Sequence, residues 1–249
     1  MSVAKSKRER EGGLYETVKI IFQALLIAFV IRTFLFQPFN IPSASMVETL
    51  LVGDYLFVSK FSYGYSRYSF PFGVVPLPGR VLASTPERGD IAVFKLPRDN
   101  ATDYIKRVIG LPGDRIQMIR GVLHINDTPV DREQIDDYVD IGQNGREVRA
   151  RRFRETLPNG VSYEVLDRVD NGLYDDTNVF VVPENHYFMM GDNRDNSTDS
   201  RANFVGYVPF ENFVGRAEII FFSIREGTPV WQIWRWPTAV RWDRIFDVL

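Results

Sequence analysis

Residues 39–50 read FNIPSASMVETL and follow directly on the longest apolar segment of the chain. Pro42 restricts the backbone just before two serines, Ser43 and Ser45, which are separated by one small residue. A turn that begins with proline is rigid, and a rigid turn can hold a hydroxyl group in a fixed direction. Ser45 is therefore a candidate nucleophile, provided that another side chain can accept its proton.

The apolar segment covers residues 18–36 and carries its charged side chains, Lys19 and Arg32, near its two ends. About 20 helical residues, at 1.5 Å each, span a hydrocarbon core of roughly 30 Å. Long basic side chains at the ends of such a helix can reach the membrane–water interfaces. We therefore predict one transmembrane anchor helix over residues 18–37.

Basic residues on either side of the anchor predict its orientation. Lys and Arg are frequent in residues 1–17, whereas none follows Arg32 before Lys60. By the positive-inside rule, residues 1–17 form a cytoplasmic tail and the rest of the chain lies on the periplasmic side of the plasma (inner) membrane. These residues alone leave open a cleavable secretory signal cut near Ser43.

Composition argues against several classes of function. The 249 residues carry a net charge of −2, no cysteine and two histidines, His124 and His186. Near-neutral charge gives no basis for nucleic-acid binding, and the lack of thiols excludes disulfides, zinc–thiolate sites and a thiol nucleophile. We expect structural roles for both histidines, no metal site and no cofactor.

The remainder of the chain is typical of short strands separated by turns. Runs rich in β-branched and aromatic residues predict strands at residues 55–58, 91–96, 103–110, 187–190 and 215–224. Residues 131–178 are polar and charge-rich, which predicts an inserted β-ribbon subdomain solvated on one face. The sequence thus predicts a mostly β fold.

Two aromatic stretches each have two interpretations. Residues 61–80 are rich in Tyr, Phe, Pro and Gly, and form either a surface loop packed by its own rings or a loop at the membrane interface. Residues 231–249 contain all four tryptophans, which are either core residues or part of a tail that docks on the bilayer.

Lys106 is the strongest candidate for the base. A free lysine has a pKa near 10.4, so at pH 7 only about one molecule in a few thousand is neutral. Burial can lower a lysine pKa by about 3–5 units, which brings it into the range of a general base. An alternating strand would place Lys106 and Tyr104 on one face and Ile105 on the other. A serine and a lysine 61 positions apart are, however, weak evidence by spacing alone.

Several sequence blocks in a fixed order give a stronger argument. The blocks are PSASM at 42–46, GD at 53–54, RGD at 88–90, DYIKR at 103–107, LPGD at 111–114, GDNRDNS at 191–197 and DSR at 199–201. In that order they resemble the boxes of bacterial type I signal peptidase (leader peptidase). The resemblance spans about residues 39–214, directly after the predicted anchor, and therefore favours an anchor over a cleaved signal.

The resemblance implies a membrane-bound serine endopeptidase that removes signal peptides from exported preproteins after small, Ala-x-Ala-like residues. Ser45 would attack the scissile carbonyl and Lys106 would accept the proton of the Ser45 hydroxyl, so that a Ser-Lys dyad replaces the Ser-His-Asp triad. The Ser45 backbone N–H and the Ser43 hydroxyl would form the oxyanion hole. Ser197 would orient the Lys106 amine. Asp199 and Arg201 match supporting residues that hold the loop of residues 191–201.

The resemblance also implies how the chain is divided and how it binds substrate. A coiled antiparallel β-sheet catalytic core would comprise residues 38–115 and 187–249, with the β-ribbon subdomain inserted at residues 116–186. An extended substrate would pair with it as an added strand. The positions that match the lining of its specificity pockets are Phe39, Ile41, Met46, Leu50, Leu56, Val93, Tyr104 and Ile105. The expected partners are preproteins and the lipid bilayer.

One departure from the family pattern is Glu48, which stands where the family almost always has proline; Ala44, where it often has glycine, is a minor difference. A carboxylate that pointed at Lys106 would raise the amine's pKa, so we expect Glu48 to face solvent. Two rival functions are a non-catalytic, membrane-anchored β domain and a Ser-Lys self-cleaving repressor. The repressor would need a DNA-binding domain where this chain has its apolar segment.

Overall fold

A computed structural model describes residues 2–70, 77–141 and 147–249. Residues 71–76, in the aromatic stretch that follows residue 60, lie outside the described residues. The same holds for residues 142–146, in the predicted ribbon. The predictions for those two segments therefore have no structural counterpart.

The chain begins with one long helix, α1 (Ser2–Val30), which continues into a π-helical turn at Ile31–Leu35. Its part from Tyr15 to Leu35 is long and apolar enough to cross a membrane, and only 6% of its most apolar window is buried within the protein. An apolar surface of this size is unusual on a soluble monomer and is consistent with the predicted anchor. The helix starts well before residue 18, so the predicted tail and anchor form one element.

The described residues contain fifteen strands and a second short helix. The strands are β1 (Phe36–Asn40), β2 (Asp54–Ser59), β3 (Ile91–Lys95), β4 (Asp103–Gly110), β5 (Arg115–Ile119), β6 (Val122–Ile125), β7 (Thr128–Pro129), β8 (Asp131–Gln134), β9 (Tyr138–Ile141), β10 (Glu147–Thr156), β11 (Ser162–Asp167), β12 (Phe180–Val181), β13 (His186–Met190), β14 (Val208–Pro209) and β15 (Phe213–Ser223); the helix is α2 (Trp236–Ala239).

The main sheet has the strand order β1-β2-β15-β3-β4-β13-β14, and every neighbouring pair in it is antiparallel. The pairing register of β15 shifts at three places and that of β13 at one. Such bulges bend a strand and increase its twist, so they curl the sheet. The prediction of a mostly β fold with a coiled antiparallel core is confirmed.

The inserted region contains two smaller sheets, although we expected a single ribbon. One has the order β12-β5-β6-β7; in the other, β10 lies between β11 and β8 and also pairs with β9. Asn126 and Asp127 form the turn between β6 and β7, with positive φ at both residues, as a two-residue hairpin turn of this twist requires. Phe188 and Met190 of β13 share a buried cluster with β5 and β6, so the insertion packs directly onto the core.

The aromatic stretch after residue 60 contacts the end of the apolar helix. The Tyr65 hydroxyl donates to the carbonyl oxygen of Phe34 at 2.7 Å, and the rings of Tyr65 and Phe70 lie edge-on to the Phe34 ring, with centroids 5.9 Å apart in each case. The described part of this stretch is therefore held against the helix where the helix ends, rather than packed only by its own rings.

The C-terminal tail keeps most of its tryptophans at the surface. Trp231, Trp234 and Trp242 are each exposed, and only Trp236 packs partly against the sheet, on the ring of Phe222. The interpretation of these tryptophans as core residues is therefore wrong for three of the four. Backbone hydrogen bonds between the tail and β15 nevertheless fix the last residues to the edge of the core.

Candidate active site

The turn that carries Ser45 is fixed at both of its ends by the backbone. Ile41 donates to the carbonyl oxygen of Asp54 at 2.8 Å, and Gly53 donates back to that of Ile41 at 3.0 Å. Ser45 then lies in a short 3-10 turn, Ala44–Met46, whose last side chain is buried in the core. As a result Ser45 is buried, whereas Ser43 beside it is exposed.

Lys106 lies opposite Ala92 of β3 in the sheet, and 3% of it is exposed. Its Nζ is 2.7 Å from Ser45 Oγ, and it donates to its neighbour's carbonyl oxygen, that of Ile105, at 2.8 Å. The amine also lies 5.4 Å from the centre of the Tyr104 ring, as expected if the two side chains share one face. The structure thus brings together the serine and the lysine that the sequence singled out.

Burial lowers the pKa of Lys106 to about 8, because desolvation disfavours the ammonium form. Two carboxylates, Asp199 and then Asp192, oppose this effect from a distance. Each of them is itself held by a guanidinium group, that of Arg201 and that of Arg107 respectively. The site therefore combines a buried amine with carboxylates whose charge is already compensated.

The loop of residues 191–201 forms the third side of the site. Arg201 donates to both carboxylate oxygens of Asp199, at 2.9 and 2.8 Å, and the backbone N–H of Gly191 donates to the same carboxylate at 3.0 Å. Burial alone would raise the pKa of Asp199, but the Arg201 guanidinium outweighs it and the pKa is lowered. Asp199 therefore stays ionised and holds the two ends of the loop together.

The same loop is hydrogen-bonded to the turn that carries Ser45, through Asn193, a residue that the sequence analysis did not single out. The backbone N–H of Asn193 donates to the carbonyl oxygen of Ser45 at 3.1 Å, and its side-chain amide donates to that of Ala44 at 2.9 Å. Nothing in the sequence pointed to Asn193 beyond its place in the GDNRDNS block, because nearly 150 residues separate the partners.

Gly191 permits this close approach. A Cβ atom at Gly191 would lie 2.2 Å from Ser197 Oγ and 2.5 Å from the Ser45 carbonyl oxygen, well inside van der Waals contact. Any larger residue would therefore push the loop away from the turn.

The two remaining serines are in place but do not contact the amine. Ser43 Oγ lies 3.4 Å from Ser45 Oγ, at the limit of a hydrogen bond. Ser197 Oγ is buried and close enough to the Asp199 carboxylate to help lower its pKa, but it makes no hydrogen bond of ordinary geometry with the described residues. The roles of Ser43 in an oxyanion hole and of Ser197 in orienting Lys106 thus stay predictions.

A cleft of about 360 Å³ opens in front of the serine and the lysine. Its lining comprises Pro42, Ser43, Ala44, Ser45, Asp103, Tyr104, Ile105, Lys106, Asn196 and Thr198. Of the predicted pocket residues, Tyr104 and Ile105 line it. Five others are closed into the hydrophobic core, namely Ile41, Met46, Leu50, Leu56 and Val93, while Phe39 is half-buried at the edge of the same cluster.

Comparison with known proteins identifies the family of the chain. The model of the family described as "Signal peptidase, peptidase S26" matches residues 14–222. The chain belongs to this family.

Similar proteins carry the same name. Signal peptidase I of Rickettsia typhi is 45% identical over 242 residues, and that of Rickettsia prowazekii is 44% identical over 242 residues; in both cases 90% of each chain is covered. A crystal structure of a signal peptidase I from Enterococcus faecalis is 27% identical and covers 53% of this chain and 97% of its own, with a TM-score of 0.32. As a member of the signal peptidase family, the chain is a serine endopeptidase of the class that removes signal peptides.

Glu48 stands where the resemblance to the signal peptidase family predicts a proline. We expected its side chain to face solvent, and this prediction is wrong. Only 18% of its side chain is exposed, and two charged residues of the inserted sheets, Arg152 of β10 and Glu164 of β11, act on its carboxyl group. Nη1 of Arg152 lies 3.6 Å from Oε1 of Glu48, and this oxygen is buried without a hydrogen bond among the described residues. Burial raises the pKa of this carboxyl. The group is directed at the inserted sheets, and it is not among those that shift the pKa of Lys106.

The histidines of this signal peptidase family member offer no competing base. The Nδ1 atom of His124 lies 3.1 Å from the Val122 carbonyl oxygen, and that of His186 lies 2.8 Å from the Glu184 carbonyl oxygen. Both contacts are local, as expected for structural roles. Within residues 2–70, 77–141 and 147–249, no cluster of three or more His, Asp or Glu side chains is suited to a metal ion.

Proposed function

We propose that the chain is a membrane-anchored signal peptidase in which Ser45 is the nucleophile and Lys106 the general base, and that it cleaves preproteins after small residues. One observation carries the proposal: Lys106 Nζ and Ser45 Oγ are 2.7 Å apart and both side chains are buried. Hydrogen-bond distance between a nucleophile and its base is the geometric requirement for this chemistry.

The lowered pKa of Lys106 makes the proton transfer feasible. With a pKa of about 8, roughly a tenth of the amines are neutral at pH 7. The neutral amine keeps its bond to the Ile105 carbonyl oxygen and accepts the Ser45 hydroxyl proton as Oγ forms a bond to the scissile carbonyl carbon. The resulting ammonium returns the proton to the leaving amine when the C–N bond breaks. Water then hydrolyses the acyl-enzyme ester by the same route.

The negatively charged oxygen that forms when Ser45 attacks the scissile carbonyl needs hydrogen-bond donors. We assign them to the Ser45 backbone N–H and the Ser43 hydroxyl, because both belong to the turn that forms one wall of the cleft. Ser197 is assigned to the amine: its buried Oγ lies beside the Asp199 carboxylate without a hydrogen bond of ordinary geometry, and the Lys106 ammonium carries a third N–H that needs an acceptor. Asp199 and Arg201 hold the loop that supplies this hydroxyl.

The substrate is proposed to enter as an extended strand between the Ser45 turn and the start of β4, which pairs with β3 on one side but not with β13 on the other. Main-chain hydrogen bonds would give affinity, and the side-chain pockets would give specificity. A cleft of about 360 Å³ has little room beyond a peptide backbone with small side chains. Tyr104 and Ile105 line the cleft and would reject larger residues, and Ile105 is held in place by the buried cluster that contains Ile41, Met46, Leu50, Leu56 and Val93.

The anchor places this cleft beside a lipid surface. The helix from Tyr15 to Leu35 would cross the plasma membrane with the basic N-terminus in the cytoplasm and the catalytic domain outside. Signal-peptide-bearing preproteins, which are held in the same membrane by their own apolar segments, would then meet the cleft without leaving the bilayer.

The deciding experiment is cleavage of a preprotein by purified full-length protein in detergent. Lys106→Ala and Ser45→Ala should each lower kcat by about 10²–10⁴-fold or more while the variants stay folded. His124→Ala and His186→Ala, which remove the alternative bases, should cleave at the wild-type rate. The wild-type kcat/KM should rise about tenfold per pH unit and level off near pH 8. Equal cleavage by wild type and Lys106→Ala would remove Lys106 from the mechanism.

A further inference from the structure

A second cavity lies between the end of the apolar helix and the main sheet, and the proposed mechanism does not use it. Its volume is about 660 Å³, within the range of about 300–1,000 Å³ that is typical of sites for small molecules. One wall is formed by Phe29 and Arg32 of the helix, and the opposite wall by side chains of the core, including Phe39 and Lys60. The cavity touches the active-site cleft only through Asp103.

The cavity carries an excess of two positive charges. Three cations line it, namely Arg32, Lys60 and Lys95, against one carboxylate, Asp103. Lys95 is already occupied, because it forms an ion pair with Asp103 at 2.9 Å and donates to the Ala101 carbonyl oxygen at 2.8 Å. Asp103 is therefore in contact with Lys95 and acts on Lys60 only from a distance, and neither Arg32 nor Lys60 has a carboxylate in contact among the described residues.

Lys60 is the less usual of these two cations, because 3% of it is exposed. Its one hydrogen bond among the described residues goes to the carbonyl oxygen of Ser69, so an ammonium group retains further N–H donors. Burial lowers the pKa of Lys60 to about 8, and the nearby Arg32 guanidinium acts in the same direction. An anion between the two cations would relieve both the desolvation and the repulsion.

The position of the cavity indicates where such an anion comes from. Phe29 and Arg32 belong to the last turns of the segment Tyr15–Leu35, which the proposed function places across the membrane. The cavity would then lie at the depth of the lipid headgroups, with Phe29, which is exposed, between the cavity and the hydrocarbon. The part of a signal peptide near its cleavage site is small and apolar, so it offers no carboxylate that would complement the two cations.

We infer that this cavity binds the phosphate headgroup of an anionic phospholipid, with Arg32 and Lys60 as the residues that hold the phosphate. A guanidinium and an ammonium group are the two side chains best suited to phosphate oxygens. Basic pockets beside transmembrane helices bind anionic headgroups in the same way. The inference rests on the proposed membrane anchor, and it would fix the tilt of the anchor against the core.

The experiment uses the full-length protein in a neutral detergent and counts the lipids retained in native mass spectrometry. Phosphatidylglycerol should be retained about tenfold more tightly than phosphatidylcholine. Arg32→Gln and Lys60→Gln should each weaken its retention about tenfold, since each removes a charge-assisted hydrogen bond. Arg115→Gln is the matched control, because Arg115 is an exposed arginine that pairs with Asp127 and does not line the cavity.

Several outcomes would overturn the inference. One is equal retention of phosphatidylglycerol by wild type and by Arg32→Gln, an exposed site where the substitution leaves the fold intact. Another is equal retention of the two lipids, or equally tight binding of inorganic phosphate. A raised KM for preprotein in Lys60→Gln with unchanged lipid retention would assign the cavity to the peptide instead. Preprotein cleavage and insertion of the protein into phosphatidylcholine vesicles, measured on the same samples, test the proposed function separately.

Discussion

Two neighbouring residues of β4, Lys106 and Arg107, place cations on opposite faces of one strand, and only 3% and 5% of them are exposed. Arg107 donates to both oxygens of Asp192, at 2.9 and 2.7 Å, and also to the Thr49 hydroxyl and the Gly89 carbonyl oxygen. Lys106, on the other face, has no carboxylate in contact among the described residues.

The pKa values of the two groups move in opposite directions. Burial would lower the pKa of Arg107, but the Asp192 carboxylate outweighs it and the pKa is raised. Burial lowers the pKa of Lys106 to about 8 because Asp199 and Asp192 act on it only from a distance. The partner, rather than burial itself, therefore decides whether a buried cation stays charged. The fold uses one face of β4 for stability and the other for a proton acceptor.

Arg107→Met tests the stabilising face and should have the largest effect on stability. It would leave Asp192 buried without its counterion, which costs about 3–5 kcal/mol of the free energy of unfolding. Urea unfolding in detergent measures the change. Arg115→Met is the matched control, because Arg115 pairs with Asp127 at the surface and should cost at most about 1 kcal/mol. A similar small cost for both variants would mean that the buried pair contributes no more than a surface pair.

Lys106→Met tests the catalytic face and should change stability in the opposite direction. Lowering the pKa from 10.5 to about 8 corresponds to a folding penalty of roughly 3 kcal/mol at pH 7. The penalty is complete below about pH 8 and disappears as the pH rises from about 8 to 10.5, because only the unfolded state then still binds the proton. The variant should therefore be more stable than wild type at pH 7 and equally stable near pH 10.5. A less stable variant at pH 7 would contradict the assignment of an uncompensated cation.

Much of the fold could be predicted from the sequence. The strands β2, β3, β4 and β13 coincide with β-branched and aromatic runs that end at Gly, Asp or Pro turns, because local chemistry specifies both the strand and its limits. The start of α1 at Ser2 could not be predicted from the charge pattern that we read there. Its Lys, Arg and Glu residues are good helix formers, but the same charged residues also suit a solvated cytoplasmic tail.

Some residues of the candidate site could likewise be predicted from the sequence, and others could not. The resemblance pointed to Ser45 and Lys106, and the structure brings them within hydrogen-bond distance. The two bonds of Asn193 to the nucleophile turn and the burial of Glu48 under the inserted sheets depend on segments far apart in the chain. No local pattern encodes such contacts, since they arise only when the sheets pack together.

Gly191→Ala tests how closely the loop of residues 191–201 must approach the catalytic face. The new Cβ would lie 2.5 Å from the Ser45 carbonyl oxygen, so the nucleophile turn must move. A displacement of about 1 Å at an active site lowers the rate about 10²-fold, and we expect that loss in kcat/KM. Gly160→Ala is the control: nothing lies within 4 Å of its Cβ, and its φ of +87° should cost stability but no activity. Full activity of Gly191→Ala would show that the loop can yield without moving the serine.

Glu48→Gln should have the smallest effect, and it asks whether the nucleophile turn senses the inserted sheets. Because the pKa of Glu48 is raised in the folded protein, its ionised form is disfavoured at pH 7. The neutral isostere should therefore be as stable as wild type or more stable by no more than about 1 kcal/mol. The difference should shrink as the pH falls through the raised pKa and vanish below 4.5, where the unfolded wild type carries the proton as well.

Cleavage by Glu48→Gln, measured beside its stability, separates the two sides of the turn. The carboxylate is directed at Arg152 and away from Lys106, so kcat/KM should stay within about twofold of wild type. A loss of about tenfold or more in cleavage without a loss of stability would mean that charge on the insertion side reaches the amine. Charges beyond Asp192 would then also act on the amine from the other face of β4, and the low pKa of Lys106 would depend on the inserted sheets as well as on its own burial.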